Sequence, residues 1–130
     1  MEKPGVVVVN TDQKQSQEIC ALLKQWNYRA TSLQSLGDLE KHLQRNPLSV
    51  VILDLDTVPA DNQFFRTFKR KNKDIHILSV SSLPFHPGLE EAMGSHIYAC
   101  LGKPLDPEEL GYWLKSICEN QPDSLGGPEV

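Results

Sequence analysis

The chain has 130 residues, a net charge of −4, and hydrophobic and charged shares of 39% and 23%. That suits one compact domain with a single hydrophobic core, and it is too apolar for a disordered chain. The acidic balance argues against direct nucleic-acid binding, which wants a basic surface, and no apolar run nears the ~20 residues that span a bilayer. Met1 to Gly5 carries no long apolar signal segment, so a cytoplasmic location without membrane contact is expected. Cys20, Cys100 and Cys118 are widely spaced and match neither a zinc nor a redox pattern. They read as reduced, partly buried residues.

Val6 to Val9 is short, β-branched and non-alternating, as in a strand buried on both faces. Ile19, Leu22, Leu23 and Trp26 then follow the spacing of an amphipathic helix. Tyr28 to Leu33 is a weak strand. Ser35 is a plausible N-cap for a helix presenting Leu36, Leu39 and Leu43, and Pro47 helps to stop it. Val50 to Leu53 is the clearest buried strand, ending abruptly in Asp54-Leu55-Asp56.

A turn-rich segment through Pro59 and Asp61 leads to a third helix with Phe64, Phe65 and Phe68. Its basic end (Lys69, Arg70, Lys71, Lys73) suits the helix dipole. Ile75 to Val80 reads as a fourth strand, Pro87 to Met93 as a short weak helix, and Ile97 to Leu101 as a fifth strand. In the last helix Asp106 is the N-cap, Pro107 takes the first helical position and Glu109 completes a capping box. Leu110, Trp113, Leu114 and Ile117 form its core face. The expected domain is 1–119, with residues 120–130 as a linker or disordered tail.

Alternating strands and helices predict an α/β fold: a doubly wound, five-stranded parallel sheet in a three-layer α/β/α sandwich. Such folds bind ligands at strand carboxyl ends. There the sequence places Asn10-Thr11-Asp12, Asp54, Ser81 and Lys103. Each alone has an ordinary reading, as a turn former, cap or surface lysine. Together a carboxylate, a hydroxyl and an ammonium suit phosphoryl chemistry, the carboxylate as nucleophile and the others stabilising charge. The histidines (His42, His76, His86, His96) have no metal-ligand spacing and read as surface or loop residues.

On Val6–Asp12, Val50–Pro59, Ile77–Ser82 and Gly102–Leu110, residues 5 to 119 resemble the CheY-like receiver domains of two-component response regulators. The resemblance implies the flavodoxin-like strand order 2-1-3-4-5. It implies Asp54 as phosphoacceptor, taking a phosphoryl group from a sensor histidine kinase or phosphotransfer protein, with Ser81 and Lys103 binding the phosphoryl oxygens. The only catalysis implied is self-catalysed transfer to Asp54. Mg²⁺ would be held by Asp54, an acidic residue after the first strand and the carbonyl at Asp56. Asn10 and Thr11 stand where the family has two acids, which leaves Asp12, Asp54 and the Asp56 side chain as metal candidates. Cys100 occupies the switch position that is usually aromatic.

Two functions follow, the first being the expected one and the second its alternative. One is a phosphoacceptor receiver in a phosphorelay, switching an output domain or downstream protein. The other is a pseudo-receiver acting as a phosphorylation-independent interaction or dimerisation module. In the first, the face of the fourth helix, fifth strand and last helix changes its affinity for a partner, and a homodimer is expected to use the same face. A flavin carrier on the same fold would want a glycine- and hydroxyl-rich loop after the first strand. Asn10 to Ser16 has no glycine, so neither flavin nor nucleotide is expected.

Overall fold

The computed structural model describes residues 5–44, 50–84 and 86–119. Its elements in chain order are β1 (Gly5–Val9), α1 (Gln13–Gln25), β2 (Arg29–Leu33), α2 (Leu36–Leu43), β3 (Val50–Asp54), α3 (Asn62–Lys71), β4 (His76–Val80), α4 (Glu90–Ser95), β5 (Ala99–Leu101) and α5 (Pro107–Glu119). The strands form one parallel sheet in the order β2-β1-β3-β4-β5, the doubly wound topology expected. The segment 120–130, read from sequence as a tail, lies outside the described residues. Among the described residues no helix is long and apolar enough to cross a membrane.

Strand alternation divides the apolar residues between the two faces of the sheet. Val6, Val8, Val50, Ile52, Leu78 and Val80 pack with Ile19 and Leu23 of α1 and Leu110, Leu114 and Ile117 of α5. Val7, Val9, Val51, Leu53 and Ile77 pack with Leu39 of α2, Phe65 and Phe68 of α3 and Ala92 of α4. The single core expected from chain length is thus two cores that share the sheet. All five residues of β3 are buried, which is why its first four, Val50 to Leu53, are a continuous apolar run. Each such large side chain contributes about 1.5–3 kcal/mol on burial.

Three strands begin one or two residues later than their apolar residues suggest, for a common reason. The N–H of Tyr28 bonds Leu23 O at 2.9 Å, that of Ile75 bonds Asn72 O at 3.2 Å, and that of Ile97 bonds Ala92 O at 2.8 Å. In each case the first apolar residue satisfies a carbonyl left over at the end of the preceding helix. After α1 this is a Schellman arrangement, with Asn27 at φ 71° and its N–H on Lys24 O. The expected helix over 87–93 is a 3₁₀ turn, Pro87–Leu89, followed by α4.

The short α4 is fastened to α3 by polar groups. Asn62 accepts from the Ala92 N–H at 3.1 Å and donates to Gly88 O at 3.2 Å. One turn later Arg66 grips Glu91 through two bonds of 2.9 and 2.6 Å. That guanidinium, helped by His96, holds the Glu91 carboxyl down at about 2. Ser35 and Asp106 cap α2 and α5 as expected, accepting from Asp38 N–H and Glu108 N–H.

Candidate functional site

β1 sends its chain outward to β2 and β3 sends its chain the other way to β4, so a crevice opens at their carboxyl ends. Asp54 closes β3 there and is 2% exposed. Lys103, in the loop after β5, places its ammonium 2.7 Å from Asp54 Oδ1 and 2.8 Å from Asp56 Oδ2. For Oδ1 of Asp54 this is an ionic contact rather than an aligned hydrogen bond. Burial alone would lower the Lys103 pKa. The two carboxylates outweigh burial and hold it above its ordinary value.

The other Asp54 oxygen faces Thr57. Its Oδ2 accepts from the Thr57 N–H at 3.0 Å and from the Thr57 hydroxyl at 2.7 Å. This is the bond pattern of a helix cap, made here on a turn in which Val58 N–H returns to Asp54 O. The Thr57 hydroxyl also accepts from Thr11 N–H and lies 3.2 Å from Asn10 Oδ1. A hydroxyl has one proton to donate, and the shorter contact to Asp54 takes it. Thr57 therefore fills the space between the ends of β1 and β3.

Asp56 turns toward β4. Its Oδ1 accepts from the Ser81 hydroxyl at 3.1 Å, and its Oδ2 accepts from Ser82 N–H at 2.9 Å. The Lys103 ammonium foremost, with Ser82 and Ser81, holds the Asp56 carboxyl at about 2 against the opposing effect of burial. A depressed carboxyl pKa stabilises the fold above the unfolded-state value, and that gain disappears as pH falls through the folded value. Wild-type stability should therefore drop between pH about 4 and about 2, by on the order of 1–2 kcal/mol from this group. Urea midpoints measured across that window check it. The drop should be smaller in Asp56→Asn.

The structure thus brings Asp54, Asp56, Ser81 and Lys103 into one pocket and leaves two expected residues elsewhere. The Asp12 carboxylate is exposed and caps α1, accepting from Gln15 N–H at 3.2 Å. Cys100 is exposed on the edge strand β5, against the partial burial expected for all three cysteines; Cys20 and Cys118 are partly buried. Sequence reasoning missed Thr57 and the direction of Asp56. The signal for Thr57 was the Asp54-x-x-Thr57 capping pattern.

A hard divalent cation wants several carboxylate or carbonyl oxygens free to converge on it. Here Asn10, buried at the acidic position, uses its oxygen on Asp12 N–H at 2.8 Å and its nitrogen on Gln15 Oε1 at 2.6 Å. Both Asp54 oxygens face donors, and the Asp56 carboxylate points to β4. Among the described residues no three His, Cys, Asp or Glu side chains stand together as a metal set. The residues present do not fit Mg²⁺.

No protein-family model and no curated protein sequence matches the chain. Solved structures do. The signal receiver domain of an HD domain-containing protein from Pseudomonas fluorescens superposes with a TM-score of 0.82 at 19% identity, covering 92% of this chain and 98% of that one. The beryllofluoride-activated NtrC4 receiver domain dimer gives 0.79 at 21% identity, over 90% and 98% of the two chains. Full-length FixJ from B. japonicum gives 0.81 at 18% identity, over 93% of this chain and 60% of that one. The chain has the fold of response-regulator receiver domains.

Proposed function

We propose that this chain is a pseudo-receiver: a receiver fold serving signal transduction as a protein-interaction module, without regulated phosphorylation of Asp54. The observation that carries this reading is the occupancy of Asp54. One oxygen is paired with Lys103 and the other takes both donors of Thr57. A nucleophilic carboxylate needs an oxygen free to attack, and phosphoryl transfer needs counter-charge for the equatorial oxygens. Two carboxylates and one ammonium leave this pocket with one net negative charge.

The contact face in this reading comprises α4, β5 and α5. Tyr98 and Tyr112 are exposed there, and edge-to-face ring contacts run from His76 through Tyr98 and Trp113 to Tyr112. Exposed, mutually braced aromatics suit a binding surface. Its partner would be an output domain, a downstream protein or a second copy of the chain in the cytoplasm.

The phosphoacceptor reading has one observation in its favour, the meeting of Asp54, Ser81 and Lys103 in one pocket. Intact-mass measurement after incubation with acetyl phosphate and Mg²⁺ separates the two. The expected result is an unchanged mass. A gain of one phosphoryl group, lost in Asp54→Asn, would falsify the pseudo-receiver reading and establish the other.

A further inference from the structure

Asp56 makes contacts that a turn residue does not need. Its carboxylate reaches across the pocket to three donors: the Ser81 hydroxyl, the Ser82 N–H and the Lys103 ammonium. The donors come from two separate places, the end of β4 and the loop after β5. The Ser81 hydroxyl accepts from Leu83 N–H at 3.0 Å, which leaves its own proton for Asp56. An O–H, a backbone N–H and an ammonium converging on one group of negative oxygens make an oxyanion site. Its occupant belongs to the chain itself.

We propose that Asp56 is a tethered ligand of this oxyanion site, filling it in place of an external tetrahedral oxyanion and holding the segment from Ser81 to Leu83 in its anion-bound arrangement. The proposal rests on the pseudo-receiver reading and gives it a mechanism. A ligand attached to its own site has a high effective concentration, so a free anion of similar charge competes poorly. The segment after β4 is then set permanently rather than switched.

Removing the carboxylate should open the site to a free oxyanion, with inorganic phosphate as the probe. In Asp56→Ala the Ser82 amide loses its acceptor, and its hydrogen exchange should speed up by about tenfold. Millimolar phosphate should restore protection and move the Ser82 and Leu83 amide resonances saturably. Sodium chloride at matched ionic strength should not. The same resonances of the wild type should not respond to phosphate. Unchanged Ser82 exchange in Asp56→Ala, an equal phosphate response in wild type and variant, or a chloride response equal to that of phosphate would each overturn the proposal. If Asp56→Ala does not fold, Asp56→Asn keeps the volume and one acceptor. The same phosphate-dependent shift is expected of it, and its absence overturns the proposal.

Inorganic phosphate is not an activated phosphoryl donor, since transfer to Asp54 would have to expel water where acetyl phosphate expels acetate, so this readout is separate from the acetyl phosphate experiment. A mass gain in that experiment refutes the phosphorylation-independent reading. A silent Ser82 amide in Asp56→Ala refutes the tethered ligand alone.

Discussion

Lys103→Met should lower the stability of the domain by about 3 kcal/mol in urea denaturation at neutral pH, because it strips two carboxylates of their shared counter-charge. Methionine retains most of the aliphatic stem, so the loss reports charge rather than packing. Asp54 is 2% exposed and Asp56 22%, so water can relieve the second far more than the first. That places the expected loss well above the ~1 kcal/mol ceiling of ordinary surface pairs but at the lower end for fully buried ones. The deficit should shrink in acid, where a proton can neutralise a carboxylate in the ammonium's stead. A loss under about 1 kcal/mol, equal at all pH values, would mean the pocket is not held closed by charge.

Phe65→Ala should cost about 3–5 kcal/mol, a large fraction of the total for a domain of this size. Phe65 is fully buried in the core between the sheet and α2, α3 and α4, and stands edge-to-face on Phe64 with ring centroids 5.3 Å apart. Truncation removes the ring's burial and leaves a void bordered by a rigid parallel sheet on one side. The Phe64 ring is too close to be swung in without giving up its own contact with Phe68 at 5.6 Å. The midpoint of urea unfolding should fall with the slope unchanged. A cost under about 1.5 kcal/mol would show that α3 settles into the gap.

The fold was legible because its central strand has to be apolar on both faces, and Val50 to Leu53 can hardly be anything else. The strand starts were less so. Tyr28, Ile75 and Ile97 carry strand-type side chains, yet their N–H groups complete helix ends. Hydrophobicity reports burial, and burial does not say which carbonyl an amide will meet. In the pocket, Asp54, Ser81 and Lys103 could be found from strand ends alone. Thr57 was legible only as a local cap on Asp54, and its bridge to Asn10 and Thr11 was not, since those partners are 47 and 46 residues away. Asp12 shows the opposite hazard. An acid beside the right strand end went to the nearest unpaired helix amide, a local bond requiring no loop closure.

The fastening of α4 bears on how the proposed binding face could move. Asn62 and Arg66 stand one helical turn apart, so both clamps lie along a single line on the surface of α3. A body held at two points on a line can rock about that line but cannot travel along it. Sliding α4 would have to break the Asn62 bonds to Gly88 and Ala92 together with the Arg66–Glu91 pair. Rocking can keep all of them with small changes in angle. The clasp therefore selects a direction of motion more than an amplitude, tilting α4 toward or away from β5 while its register against α3 stays fixed.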